Sequence, residues 1–384
     1  MKHIFIIGSK GIPARYGGYE TFVEKLTSNQ VNKNIKYHVA CLSNGTNEFT
    51  HNNARCFGIK VPNIGPAKAI FYDVKAFKYC LTYIKKHNLK KCIIYVLTCR
   101  VGPFYKKLVK KAHKLDCKVF LNPDGHEWLR AKWPKPVRKY WKYSEKKMIK
   151  HSDLIICDSI NIENYVIDRY KKYKPNTTYI AYGADLTKSS LKNTDNELIS
   201  WYKKFNIKPN SYFLSVGRFV PENNFEVMIR EFMKSNTDKD FVLITNVEEN
   251  KLYKCLQEKY HFEKDPRIKF VGTVYDAELL KKIRENAFAY FHGHSVGGTN
   301  PSLLEALAST KLNLLYDVGF NKECGLDSAL YWSDEIGSLS SLINETDKFS
   351  SVQIEEYSAL SKNRIKTVYS WEYIVSEYEE EFLK

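Results

Sequence analysis

One glycine-bearing loop holds the residue types best suited to chemistry. Gly293-His294-Ser295-Val296-Gly297-Gly298-Thr299-Asn300-Pro301-Ser302-Leu303-Leu304-Glu305-Ala306 follows a short apolar run, Ala287 to Phe291, and precedes Leu303 to Ser309. The first segment reads as a buried strand and the second as a helix. Glycine leaves no Cβ in the way of a ligand. Ser302 is expected to cap the helix, so that the N–H groups of its first turn face the loop and favour a phosphate. Glu305, three residues on, either closes a capping box with Ser302 or accepts hydrogen bonds from sugar hydroxyls.

Three further loops carry candidates. Asn122-Pro123-Asp124-Gly125-His126-Glu127-Trp128 follows an apolar strand and sets Asp124, His126 and Glu127 side by side. A plain Asp-Gly turn requires neither of the other two. Gly217-Arg218 follows the strand Tyr212 to Val216, and the Arg218 guanidinium can reach a diphosphate with its fork of donors. Near the start, Ser9 to Gly18 separates the strand Ile4 to Ile7 from a helix over Tyr19 to Asn29. Gly17 and Gly18 there offer backbone N–H groups to an anion, and Glu20 either complements the helix dipole or serves a ligand. The loop lacks the G-x-G-x-x-G spacing of a dinucleotide fingerprint.

The elements that must position these loops alternate between strand and helix, which implies mostly parallel sheets covered by helices on both faces. Ligands of such sheets bind beyond the carboxyl ends of the strands. With 384 residues the chain is expected to form two domains, split near the polar stretch Leu186 to Asn196. Two tandem Rossmann-like sheets with facing edges would make an interdomain cleft. The net charge of +17 is unevenly spread: residues 1–186 carry 35 Lys and Arg against 13 Asp and Glu, and residues 187–384 carry 25 against 30. One half is therefore expected to meet a polyanionic surface. The segment Leu129 to Lys150, with Trp133, Trp141 and nine basic residues, suits either the plane of an anionic membrane or an ordinary solvated helix. The nine dispersed cysteines show no metal spacing and fit a reducing cytoplasm. Neither a secretory leader nor a membrane-spanning run is expected.

The chain resembles the retaining GT-B glycosyltransferases of family 4, and within them the bacterial β-1,4-rhamnosyltransferases of capsule and exopolysaccharide assembly. The resemblance rests on Gly8 to Phe22, Asn122 to Trp133, Val216 to Asn224 and His292 to Ala306, and covers nearly the whole chain. It implies a GT-B α/β fold of two doubly wound domains, 1–186 for the acceptor and membrane and 187–368 for the nucleotide sugar. Residues 369–384 would form a helix crossing back onto the first domain. It further implies that Gly17 and Gly18 lie near the donor diphosphate, with the Asp124 to Glu127 loop beside the transferred sugar. Arg218 matches the phosphate-binding Arg and Val274 the nucleobase position. Thr299 and Asn300 would bring backbone N–H groups to the diphosphate, Gly298, Ser302 and Leu303 would belong to the same substrate-binding loop, and Glu305 would bind the ribose hydroxyls.

Two departures stand out. Asn223 and Asn224 occupy the region where the wider family carries a Lys, so another donor contact must serve there. Gly297 stands where the wider family has a second Glu, eight residues before Glu305. Both departures are shared with the rhamnosyltransferase-like subgroup. The expectation is a cytoplasmic, peripheral membrane hexosyltransferase moving L-rhamnose from dTDP-L-rhamnose to a lipid-linked saccharide. It would need no metal or cofactor, since neither glycine loop has a D-x-D-like acidic pair. The rivals are another donor such as a UDP-sugar, a sugar-nucleotide epimerase, an inverting enzyme, and a nucleic-acid-binding protein. The last lacks any recognisable module, so no nucleic-acid partner is expected.

Overall fold

The computed structural model describes residues 1–15, 17–130 and 133–384. Tyr16 of the first glycine loop and Lys132 of the basic segment lie outside them. The chain divides into two compact units, Met1–Gly183 with Trp371–Lys384, and Ala184–Ser370.

The first unit is built on eight strands: β1 (Lys2–Ile7), β2 (Ile35–Leu42), β3 (Glu48–His51), β4 (Ala54–Ile59), β5 (Ile93–Leu97), β6 (Lys118–Asn122), β7 (Leu154–Cys157) and β8 (Thr177–Tyr179). Their order is β3-β4-β2-β1-β5-β6-β7-β8, parallel except for β3. The connecting helices are α1 (Gly18–Ser28), α2 (Lys68–Lys86), α3 (Gly102–His113), α4 (Lys135–His151) and α5 (Ile160–Tyr170). Covered on both faces, the central strands read as unbroken apolar runs, as a parallel sheet requires. Ile4 to Ile7 and Ile93 to Leu97 are buried throughout.

The second unit has six parallel strands: β9 (Tyr212–Val216), β10 (Asp240–Ile244), β11 (Ile268–Gly272), β12 (Ala289–His292), β13 (Leu312–Tyr316) and β14 (Leu330–Trp332), in the order β11-β10-β9-β12-β13-β14. Its helices are α6 (Asn196–Phe205), α7 (Phe225–Lys234), α8 (Lys251–Tyr260), α9 (Ala277–Glu285), α10 (Pro301–Ser309), α11 (Gly319–Gly325), α12 (Ser338–Thr346) and α13 (Ser351–Arg364). Alternation along the strands fills two core layers. Phe213, Phe241 and Phe291 pack on one face, and Tyr212, Leu214, Val242 and Tyr290 on the other.

The helix α14 (Trp371–Leu383) belongs to the first unit. Tyr378 and Phe382 pack against Tyr95, and the buried Glu379 accepts hydrogen bonds from the Val31 and Asn32 amides at 3.0 and 2.9 Å.

The structure corrects the sequence reading at several places. β3 is exposed and polar, so it carries no burial pattern. It forms as a hairpin with β4 because Asn52 and Asn53 both take positive φ, 47° and 58°. Helices α8, α11 and α12 lie in stretches given no element. α13 ends at Arg364, and a π-turn over Ile365–Tyr369 follows it, a break that no sequence signal marks. The basic helix starts at Lys135, behind Pro134, rather than at Leu129.

Candidate functional site

In each unit the candidate residues gather at the carboxyl edge of the sheet. In the second unit β9 and β12 are neighbours, so their following loops meet. The Asn224 side-chain amide donates to the Gly293 carbonyl at 2.9 Å, and Asn223 donates to the Arg218 carbonyl at 2.8 Å. The Ser295 amide and hydroxyl both reach the Glu222 carbonyl at 2.9 Å. Asn223 and Asn224 therefore spend their side-chain donors on bracing the Arg218 loop against the Gly293 loop. Gly293 is obligatory here, since a Cβ would collide with the Asn223 carbonyl. Arg218 projects from the braced loop into solvent.

The cap of α10 differs from expectation. Asn300, not Ser302, is the N-cap: its side chain accepts from the Ser302 amide at 2.9 Å, and Pro301 takes the first helical position. Leu303 is wholly buried and its amide donates to the Asn300 carbonyl, so it is a core residue. Gly298 and the buried Thr299 lead into the cap. Glu305 closes no capping box. Its carboxylate lies 2.7 Å from the Arg284 guanidinium and stays 44% exposed, whereas the Arg284 side chain is 6% exposed. Arg284 also approaches the Ser302 hydroxyl at 3.4 Å, which in turn meets the Tyr290 hydroxyl at 3.0 Å. A buried cation thus orients an accessible carboxylate, a suitable acceptor for vicinal hydroxyls. Val274 is half-buried against the core after β11, beside the 81% exposed Tyr275.

Arg284 was not among the expected site residues. Its signal is its position on α9 four residues after Leu280 and one turn before Phe288, on the helix side that faces α10. His292 and His294 were also passed over. They stack with centroids 4.3 Å apart at the end of β12, and His292 is buried with both ring nitrogens unpartnered. Burial first, then His294, holds His292 well below the usual imidazole range.

In the first unit Gly17 caps α1 with φ 124°, a conformation suited to glycine. Gly18 opens the helix. The Glu20 carboxylate turns back and accepts from the Lys10 amide at 2.6 Å, and Glu24 accepts from the Ala14 amide at 2.9 Å. Both carboxylates hold the glycine loop, and Glu20 is thereby a loop brace. Beyond β6 the buried Asn122 accepts from the Asp124 amide at 2.9 Å and from the Tyr19 hydroxyl at 3.3 Å. Asp124 and His126 both take positive φ, 61° and 34°. Burial, reinforced by the charge of Glu127, raises the Asp124 carboxyl. Burial and then Arg169 lower His126, which packs 4.1 Å from the Tyr165 ring. Glu127 is tied to Arg130 at 2.5 Å and to the Trp133 indole at 2.8 Å. Arg100, not anticipated, donates to the Gly8 carbonyl at 3.0 Å and pairs with the buried Asp73 at 3.4 Å.

The basic helix also resolves. Trp133 and Trp141 pack on each other with centroids 6.2 Å apart, and Trp141 packs against the core. Trp128 lies between the Lys142 ammonium at 4.7 Å and the Arg169 guanidinium at 5.1 Å. Among the described residues no helix is long and apolar enough to cross a membrane.

Two mainly parallel Rossmann-like units, the first completed by a returning C-terminal helix, define a mixed α/β protein with the GT-B fold. The solved structures it matches include a sucrose-phosphate synthase from Thermosynechococcus elongatus, at 14% identity and a TM-score of 0.74, covering 99% of this chain and 98% of the other. Anabaena HepE in complex with UDP and glucose matches at 13% identity and a TM-score of 0.70, over 99% of each chain. A glycosyltransferase from Rickettsia africae matches at 13% identity and a TM-score of 0.73, over 99% and 97%. At these identities the shared property is the fold. A family profile described as a domain of unknown function, DUF1972, matches residues 1–185. No curated protein matches.

Proposed function

We propose that this chain is a glycosyltransferase of family 4. Our reading is that it moves a sugar from a nucleotide diphosphate donor, best L-rhamnose from dTDP-L-rhamnose, to a lipid-linked saccharide at the cytoplasmic face of the membrane. The observation that carries this reading is the second unit's edge. There an exposed guanidinium, a glycine loop leading into the Asn300-capped helix, and the Arg284-oriented Glu305 carboxylate are braced together. Guanidinium and helix amides suit a diphosphate, and the carboxylate suits a ribose diol. The first unit would hold the acceptor beside Asp124 and His126.

In this mechanism Arg218 and the loop amides take up the charge that develops on the leaving diphosphate, an electrostatic role able to contribute several kcal/mol. The departing phosphate accepts the proton of the incoming hydroxyl on the same face, which gives retention. No metal is required, so turnover should persist in EDTA. A UDP-sugar donor is the second reading, favoured by the UDP and glucose held by the Anabaena structure.

A thermal-shift panel of dTDP-rhamnose, UDP-glucose and related nucleotides tests the proposal. A bound donor at a hundredfold excess over its Kd stabilises by about 2.7 kcal/mol. The accepted donor should raise the melting temperature of the native chain more than that of Glu305→Ala. A panel without any response would overturn the reading.

A further inference from the structure

We infer that the groove between α2 and α3 docks on an anionic lipid bilayer. The groove has a volume of about 370 Å³, and its lining includes Ile70, Phe71, Phe104, Lys78, Lys107 and Lys111. Phe71 is 57% exposed and Phe104 48% exposed, and both stand in the first turns of their helices. Those turns follow the carboxyl ends of β4 and β5, so the aromatic lip shares a sheet edge with Gly17, Asp124 and His126. Lys78 and Lys111 lie seven residues beyond Phe71 and Phe104, on the same helix faces. Apolar rings at one end and lysines along the flanks match a bilayer interface, where rings enter between headgroups and long ammonium side chains reach the phosphates.

The occupant follows from charge. Helix α2 has one acidic residue, Asp73, and α4 has one, Glu145, while α3 has none. Asp73 and Glu145 are both buried, at 1% and 5% exposure. The solvent faces of three adjacent helices therefore carry cations and no carboxylate. A protein partner would need a long acidic surface to match them, whereas an anionic leaflet supplies one without further design. The Leu129 to Lys150 segment adds charge and the 48% exposed Tyr143, while its Trp133 and Trp141 pack on each other and Trp141 against the core; the aromatics that line the groove are Phe71 and Phe104.

The inference rests on the reading of a lipid-linked acceptor, which such docking would bring to the edge that carries Asp124. Its test uses neither donor nor acceptor, so the two can fail separately. The full chain is sedimented with vesicles of phosphatidylcholine, with and without one-third phosphatidylglycerol. Binding is expected on the anionic vesicles alone, weakening as salt rises. The Phe71→Ser/Phe104→Ser variant and the Lys78→Glu/Lys107→Glu/Lys111→Glu variant should each lose at least tenfold in vesicle partition. Both should keep the melting temperature of the native chain, which reports on folding. The inference is overturned if the native chain stays in the supernatant or binds neutral vesicles equally. It is also overturned if only charge changes on α4, such as Lys139→Glu/Lys142→Glu, release it. Self-association that the phenylalanine variant abolishes, with no vesicle binding, would assign the groove to a second copy and overturn it too.

Discussion

At the residue scale, the site depends on how side chains are held. Replacing Arg218 or Glu305 by Ala should cut kcat/KM at least tenfold, about 1.4 kcal/mol of transition-state stabilisation; near-normal kinetics in both variants would remove the assignment. Arg284→Met should leave Glu305 in place chemically but unoriented. Donor affinity by calorimetry is expected to fall about tenfold, as for one lost charge-assisted hydrogen bond, while the melting temperature without ligand changes less than the affinity does. Acid sensitivity is also a residue property. Burial first, then His3 and Arg55, lowers His38 to about 3. An unfolded histidine titrates near 6.5, so between these values the unfolded chain binds more protons. Stability should therefore fall as pH drops from about 6.5 towards 3, by up to ~1.4 kcal/mol per pH unit from His38. Asp73 acts oppositely: burial raises it to about 6, and the proton it keeps when folded stabilises below that pH and is lost as pH rises through it. Denaturant titrations at pH 5, 6 and 7 on His38→Phe, which should flatten the acid limb, check the sign.

Residue-level legibility followed the same division. Arg218, Asp124, His126 and Glu305 stand out by type and spacing beside strand ends. Their supports do not. Arg284, Arg100 and Asn122 act through burial, and burial of a polar group is set by neighbours that arrive from elsewhere in the chain. Asn223, Asn224 and Glu20 occupy the right loops, but their side chains bond to backbone groups that no sequence spacing reveals.

At the scale of elements, the parallel strands were legible because their apolar runs are continuous, and most boundaries fell within two residues. What escaped were elements without such a run. The exposed hairpin strand β3 was signalled only by Asn52-Asn53, and α8 only by its cap Asn250, which accepts from the Tyr253 amide at 3.2 Å. The α10 terminus was assigned to Ser302 because a serine before an apolar run is a common cap. Asn300 won, since Pro301 brings no N–H and fits the first helical turn. Asn300→Ala should cost about 1 kcal/mol, read as a lowered denaturation midpoint, and should weaken nucleotide binding through the frayed first turn. Gly293→Ala tests the bracing of the two loops. The collision with the Asn223 carbonyl involves backbone on both sides, so a loss of about 1–3 kcal/mol is expected, with Arg218 displaced. Retained stability and retained donor binding would show that the loops are not braced there.

For the whole molecule, two successive runs of alternating elements identify two Rossmann-like units, and the return of the terminal helix to the first unit was anticipated only through the resemblance. Nothing local in Trp371 to Leu383 says where it docks; its buried tyrosine, phenylalanine and Glu379 acquire meaning only beside Tyr95 and the amides after α1. Glu379→Ala should remove the shared acceptor of the Val31 and Asn32 amides and destabilise the first unit by about 1 kcal/mol. Hydrogen exchange at Val31 and Asn32 should rise in parallel, and unchanged protection there would contradict the packing described.

That returning helix also bears on how the protein is made. A ribosome finishes the strands of the first unit and then the whole of residues 184–370 before it releases the segment that covers Tyr95. Domains ordinarily fold in the order in which they emerge. Here the N-terminal unit must wait, its apolar flank open, while the younger unit is completed first.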